Sequence, residues 1–422
     1  MDGKGRRRTA RPARVFILSS GDELVRGLSR DTNFSEIAAA VTDAGLVVAG
    51  GGIVGDDGAE LVRALRDAAR HAEAVILTGG LGPTPDDGTR AAAARLLRVP
   101  LAEHRPTRRR IEGLWRERGL PMPSANHLQA RLPRGARVVP NPVGSAPGFR
   151  FRFRGAEVFC LPGVPREMRV MLARTILPAL RRLGGGASRT LRVSAFGLSE
   201  STLAERLGDL FLREGDLTVG TGVDEGILTV TIHGRGPAAR RARGHQRRIL
   251  AGLGEDAYAP YRVPLGEFVT ARLLERGLTA ATAESCTGGL AARRLTDLPG
   301  ASGAFLGGVV AYDNGVKRRA LGVSAALLSR HGAVSGPVAA AMARGARKRT
   351  GADLAVAITG VAGPGGGTKA KPVGTVWFAV ASKRGVVTVL RRLPGDRAFL
   401  RGLAANTALD LLRREIDRLD PG

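Results

Sequence analysis

From Arg14 to about Ala173, short apolar runs alternate with Ala-rich stretches whose apolar positions recur at helical spacing. "RVFILSS" (14–20), "LVVAGGGIV" (46–54) and "AVILTGG" (74–80) read as strands. Residues 33–44, residues 59–70 and a stretch beginning near Thr89 read as helices. Strand and helix in regular alternation predict βαβ units, hence a parallel sheet covered by helices on both faces. Ligands of such sheets gather at the carboxyl ends of the strands, where the connecting loops collect.

Residues 174–256 break that rhythm. A helix at 200–213, the strand-like "ILTVTIHG" (227–234) and an Arg-rich helix at 237–251 predict a small α+β module without a catalytic cluster. A second alternating block starts near Pro264. It reads as helix 265–276, strand "LTAATAES", helix 288–296, strand "GGVVAYD", helix 337–349, strands "LAVAITG" and "GTVWFAVA", and a closing helix 396–418. At 422 residues the chain is too long for one ordinary core. The expectation is an α/β protein of three folded segments, 14–173, 174–256 and 257–422, behind a disordered basic tail over 1–13.

Composition narrows the class. Apolar residues make up 43% and the mean hydropathy is −0.03, as in water-soluble globular chains. The longest apolar runs fall far short of the roughly 20 residues that span a bilayer. The apolar "VFIL" after the basic N-terminus is too short for a signal-peptide core, so the expected location is cytoplasmic, with no membrane partner. Two cysteines, Cys160 and Cys286, without C-x-x-C spacing fit a reducing compartment. The net charge of +27 comes mainly from Arg scattered among Ala and Gly along helices, and aromatics are only 4%. A stacking platform for single strands is therefore missing, and no specific nucleic-acid partner is expected.

The chemistry concentrates in loops. "VILTGGLGPTPDDGTR" places Gly79, Gly80 and Gly82 directly after a strand and Asp86 and Asp87 just before a helix. Such glycines allow close backbone approach. The paired Asp either cap the helix or hold a hard divalent cation beside phosphates. "SSGDEL" adds Gly21, Asp22 and Glu23 after the first strand, and "VGDDG" adds Asp56 and Asp57 after the second. Carboxylates at three strand ends exceed what capping requires, and the loops read as a site for a metal and a phosphate-bearing ligand.

In order, "SGDELVRG…DTN", "VGDD", "LTGGLGPTPDD", "NPVGSAPGF" and "LPGVPREM" resemble the N-terminal domain of the CinA (competence/damage-inducible protein A) family. That domain is itself similar to the MoaB/Mog molybdopterin-binding fold, a three-layer α/β architecture. The resemblance runs over roughly 14–172 and implies a metal-dependent ADP-ribose pyrophosphatase giving AMP and ribose 5-phosphate. It implies Glu23, Asp56, Asp57, Asp86 and Asp87 as metal and water-activating carboxylates, and Gly79, Gly80 and Gly82 around the diphosphate. Asn33 and Asn141 would be polar ligand contacts, and Glu167 reads as a cap of its own helix. The middle segment resembles the family's KH-like module. It has no GXXG loop in a helix-turn context, so it reads as structural.

The C-terminal order "TAESCTGG", "GGVVAYDNGVK", "HGAVS", "ITGVAGPGG", "KPVGTVWF" and "PGDRAFLR" resembles the C-terminal domain of the same family over about 260–418. The implied activity is deamidation of nicotinamide mononucleotide (NMN) to nicotinic acid mononucleotide and ammonia, with no cofactor. Amide hydrolysis needs a nucleophile, a base to take its proton, and donors for the oxyanion. Ser285, Cys286 and Thr287 stand side by side, and "AYDNGVK" supplies Tyr312 and Lys317. A Ser–Lys pair is a variant of triad logic that needs a neutral lysine, which burial favours. The resemblance implies Ser285, Tyr312 and Lys317 as the catalytic set. Cys286 is the rival nucleophile or an inert packing thiol, and Thr287 a helix cap or an anion contact.

"ITGVAGPGG" lacks the Lys-Ser/Thr ending of an ATP-binding loop. Its Thr359, Gly360, Gly363, Gly365 and Gly366 read as backbone donors to a phosphate or oxyanion, beside Thr287 and Gly288. Arg397 and Arg401, four apart, read as a phosphate clamp or a solvated pair. The partners implied are small nucleotides and a second copy of the chain. The rival functions are binding of a molybdopterin-like cofactor and an accessory role in DNA uptake or repair.

Overall fold

The computed structural model describes residues 12–84, 86–184, 187–211 and 215–419. The expected tail therefore lies, up to residue 11, outside the described residues. The strands, in chain order, are β1 (Arg14–Ser20), β2 (Val47–Val54), β3 (Ala74–Thr78), β4 (Leu101–Glu103), β5 (Arg131–Pro133), β6 (Arg137–Val139), β7 (Gly148–Phe153) and β8 (Ala156–Leu161). They continue with β9 (Ser188–Phe196), β10 (Leu217–Asp224), β11 (Ile227–Arg235), β12 (Ala257–Ala259), β13 (Ala280–Glu284), β14 (Phe305–Val310), β15 (Leu354–Gly360), β16 (Thr375–Ser382) and β17 (Gly385–Arg392). Contacts divide the chain into two compact units, one running to Thr190 with His233–Arg241, the other made of Leu191–Ile232 and Ala242–Gly422.

The first unit is built on a sheet ordered β2-β1-β3-β8-β7-β6. β2, β1, β3 and β8 run parallel, and β8-β7 and β7-β6 pair antiparallel. The parallel sheet expected from the alternation is present in β2, β1, β3 and β8, and β7 and β6 extend it antiparallel. β7 and β8 are joined by Arg154-Gly155, both at positive φ, and a two-residue turn leaves no room for a crossover helix. β3 is buried along its whole length, which explains its apolar run over Ala74–Leu77. The helix Gly58–His71 shows the local logic. Asp57 caps its start, and Leu61, Leu65, Ala68 and Ala69 recur at helical spacing to bury one face against the sheet.

In the second unit a sheet ordered β14-β13-β15-β16-β17 repeats the plan: β14, β13 and β15 parallel, β16 and β17 antiparallel additions. One face packs the helices Leu265–Glu275 and Arg397–Arg418, the other the helix Gly336–Thr350. A second sheet, β10-β11-β9-β12, adjoins it. Phe196 from β9 and Tyr258 and Ala259 from β12 are buried in the same core as Leu265, Phe378 and Leu409. Among the described residues no helix is long and apolar enough to cross a membrane.

Candidate functional site

The carboxyl ends of β13, β14 and β15 converge on a cavity of about 290 Å³. Ser285 follows β13 and extends the sheet ladder by donating its N–H to the Ile358 carbonyl at 2.9 Å. Glu284, 1% exposed, accepts from the amides of Gly289 (3.0 Å), Ala291 (3.1 Å) and Ala292 (2.8 Å). This carboxylate satisfies the orphan N–H groups at the start of the helix Leu290–Thr296 and so pins the turn that carries Ser285. Its signal in the sequence is an acid just ahead of a Gly-Gly helix start.

Lys317 projects from the helix Asn314–Leu321, which Asp313 caps through the Gly315 amide. Lys317 is 1% exposed, and its Nζ lies 3.1 Å from Ser285 Oγ, 2.8 Å from the Ala311 carbonyl and 3.1 Å from the Tyr312 carbonyl. Burial pushes its pKa below the ordinary lysine value, only partly opposed by Asp313. A neutral amine has two hydrogens and one lone pair. In that form the two carbonyls would take the hydrogens and the lone pair would be left for the Ser285 hydroxyl.

The cavity wall also holds Tyr312, Cys286, Thr359, Gly360, Gly363 and Arg397. Tyr312 is 59% exposed, and its hydroxyl accepts from Arg397 Nη2 at 3.0 Å. Arg397 also donates to the Gly363 carbonyl at 2.6 Å, so it joins the glycine loop to the tyrosine at the cavity mouth. Thr359 Oγ1 donates to the Ala333 carbonyl at 2.9 Å and tethers the 331–335 loop. Arg401 does something else: its guanidinium donates to the carbonyls of Cys286 (3.1 Å) and Thr287 (2.8 Å) and lies close over Gly288. It holds the nucleophile turn rather than standing beside Arg397 at the mouth. Thr287 is fully buried and its hydroxyl has no partner among the described residues. Burial pushes the Cys286 thiol up to about 11.

The first unit has a larger pocket of about 820 Å³ at the carboxyl ends of β1, β2, β3 and β8. Its wall includes Asp22, Glu23, Asp56, Gly79, Gly80, Gly82, Asp86, Asp87 and Glu167. Gly79, at φ +110°, presses on the Ser20 carbonyl where a Cβ has no room. Several acids are already engaged. Asp56 accepts from Ser20 Oγ (2.7 Å) and the Asp22 amide (3.0 Å). Asp87 accepts from the amides of Gly82 (2.6 Å) and Thr84 (2.7 Å). Asp57 is absent from the wall; both its accepted bonds, from Ala59 and Glu60 at 2.9 Å, cap the helix and lower its pKa. Among the described residues no three acids, histidines or cysteines draw together as a ready metal cage.

Glu23 and Asp86 line the wall with carboxylates that accept no hydrogen bond among the described residues. Asn33 donates to the Gly163 carbonyl (2.7 Å) and Thr78 Oγ1 (3.1 Å), while its own Oδ1 is buried and unpartnered. Asn141 is consumed by its loop: it donates to Ala146 and Glu167 and accepts from Val143 and Gly144. Glu167 therefore receives Asn141 instead of capping its helix, because its carboxylate turns to the loop amide at 2.6 Å. Arg90, 6% exposed, was missed in the sequence; it clamps the glycine turn through the carbonyls of Leu81 (2.7 Å) and Gly82 (2.6 Å).

The CinA C-terminal domain family matches residues 263–416, and the family described as probable molybdopterin binding domain matches residues 16–182. A CinA-like protein of Geobacter sulfurreducens is 42% identical over 413 residues, 96% of this chain and 99% of that one. A CinA-like protein of an Anaeromyxobacter species is 43% identical over 412 residues, 95% of this chain and 99% of that one. Among solved structures, the competence/damage inducible protein CihA of Agrobacterium tumefaciens is 41% identical, covering 36% of this chain and 96% of that chain at a TM-score of 0.35.

Proposed function

The chain belongs to the CinA family, and from that premise we propose two hydrolytic activities, NMN deamidation in the second unit and metal-dependent ADP-ribose cleavage in the first. The observation that carries the first is the Lys317 amine held between two carbonyls with Ser285 at 3.1 Å. Lys317 takes the Ser285 proton as the serine oxygen attacks the carboxamide carbon. The collapsing intermediate breaks the C–N bond, and Lys317 returns the proton to the leaving ammonia. A water then adds to the acyl-enzyme, again giving its proton to Lys317, and nicotinic acid mononucleotide leaves as Ser285 is reprotonated. Backbone donors of the Gly360–Gly366 loop face the oxyanion or the phosphate, and Arg397 reaches the phosphate from the cavity mouth.

For ADP-ribose the supporting features are hard oxygen donors beside a glycine turn that admits a diphosphate. Magnesium-type ions commonly bind through one or two carboxylates plus substrate phosphates, so a ready cage is not required. Glu23 and Asp86 would hold the cation, which supplies charge neutralisation of the diphosphate. Asp56, Asp87 and Arg90 fix the loops around it.

The test is incubation of the purified protein with NMN and, separately, with ADP-ribose and a divalent cation, with products separated by chromatography. Nicotinic acid mononucleotide and AMP are the expected products. Pterin co-purifying with a chain that releases neither product would support the cofactor-binding alternative instead.

A further inference from the structure

We propose that Glu225, in the hairpin between β10 and β11, is a positioning residue for the Ser285 site; this rests on the deamidase reading above. The hairpin loop is Glu225-Gly226, with φ +43° and +78°. Two-residue turns of that kind favour Asn-Gly or Gly-Gly, and a glutamate at positive φ is a poor backbone choice. Its side chain explains the choice. The Glu225 carboxylate pairs with Arg294 Nη2, the two side chains being 34% and 17% exposed.

Arg294 also donates to the Gly402 carbonyl (2.7 Å) and to Asn406 Oδ1 (2.6 Å), and Asn406 donates back to the Glu225 carbonyl at 3.0 Å. The helix Arg397–Arg418 has glycine at 402, where the Glu225 carboxylate occupies the space of a Cβ. One acidic side chain thus ties together two helices. The first, Leu290–Thr296, is the one whose amides Glu284 holds directly behind Ser285. The second carries Arg401, next to Gly402, whose guanidinium grips the carbonyls on the two residues after Ser285. Without the Glu225 charge, Arg294 keeps only neutral acceptors, and both supports of the nucleophile turn lose their common anchor.

Helix Arg397–Arg418 has a second tie to the same adjoining sheet region, at its far end. Asp256 accepts from Arg414 at 2.7 Å, more than three helical turns beyond Arg401. That pair separates positioning from mere docking. The experiment uses the full chain and compares wild type, Glu225→Gln and Asp256→Asn. It reads kcat and KM for NMN, the rate at which a fluorophosphonate labels Ser285 as the serine oxygen displaces fluoride, and the thermal midpoint.

Glu225→Gln should lower kcat and the labelling rate together by about tenfold, with KM within about twofold. Asp256→Asn should leave both rates within about twofold, whatever it does to the midpoint. If Glu225→Gln does not fold, Glu225→Asp serves, keeping the charge on a shorter arm and giving a smaller, parallel loss in both rates. Equal rates in wild type and the Glu225 variant, or an equal loss in Asp256→Asn, overturn the proposal. A wild type that labels at Ser285 but releases no ammonia from NMN overturns the substrate reading alone, since the labelling ratio still judges Glu225. A wild type that does neither overturns both.

Discussion

At the end of β13 one buried lysine amine is held by two backbone carbonyls and stands 3.1 Å from the Ser285 hydroxyl, inside a cavity of about 290 Å³. At the ends of β1, β2 and β3 the acids are spread along the wall of a pocket of about 820 Å³, where Asp56 is bound to the loop after β1 and Asp87 to its own loop. Both places are the same kind of sheet edge, so the fold does not account for the difference; the proposed chemistry does. Covalent attack on an amide needs one proton path assembled before substrate arrives, because misplacement of the base by an ångström costs much of the rate. Diphosphate cleavage with a divalent cation lets the cation and the substrate's own oxygens complete the arrangement, so the protein supplies rigid loops and a few uncommitted carboxylates.

The contrast breaks most sharply under substitution at the smaller site. Ser285→Ala and Lys317→Met should each lower NMN deamidation by roughly a thousandfold or more, and the double variant should be little worse than either, since the two act as one unit. ADP-ribose cleavage by the same variants should stay at the wild-type rate. Loss of both activities together, in variants whose circular dichroism is unchanged, would falsify the separation of the two sites.

Chelation probes the larger site. EDTA should reduce AMP release by at least about a hundredfold while ammonia release from NMN persists, and added divalent cation should restore the first. Equal inhibition of both reactions by EDTA would remove the reason for reading the pockets differently.

A pH series sharpens the contrast further. Desolvation favours the neutral amine, so Lys317 titrates below 10.5, the ordinary lysine value. Deamidation should rise about tenfold per pH unit below that lowered pKa and level off above it. Folding is linked with the same sign. The folded chain binds fewer protons than the unfolded chain between the lowered pKa and 10.5, so Lys317 contributes stability as pH rises through that window and costs stability below it. Lys317→Met should remove this rising limb from a plot of thermal midpoint against pH. A deamidation profile with no rising limb at any pH where the chain stays folded would count against a lysine base.

Much of this was legible from residue patterns. The 3.6-residue rhythm of 59–70 and the unbroken apolar run of β3 report burial directly, and both elements are where the pattern puts them. The helices Arg105–Glu117 and Asn314–Leu321 escaped because Arg-rich faces mask a short apolar stripe. β17 escaped because most of it is exposed, leaving no alternation to read. Within the sites, Ser285 and Lys317 lie 32 positions apart and sequence alone does not bring them to 3.1 Å. The resemblance did. What neither supplied was the direction of a side chain: Arg401 onto backbone carbonyls, Asp57 onto a helix cap, and Glu225 onto Arg294. Direction depends on tertiary neighbours.

The smallest expected effect is also the one that decides between two nucleophiles. Cys286 stands next to Ser285 and lines the same cavity, and a thiolate is intrinsically the stronger attacker. A thiol attacks only as its anion, however, and burial, with Glu284 nearby, raises its pKa to about 11. At pH 8 roughly one molecule in a thousand carries the thiolate. The side chain is 4% exposed and packs in the core with Leu290, Leu400 and Ala404, as an inert cysteine does. Cys286→Ala should therefore keep deamidation within about twofold, its cost falling on stability through a small void, about 1 kcal/mol. Iodoacetamide at pH 7.5 should label the native chain slowly, and partial labelling should not track the loss of activity. A dead Cys286→Ala beside an active Ser285→Ala would transfer the reaction to the thiol, leave Lys317 without its proton donor, and dissolve the contrast between an assembled site and a distributed one.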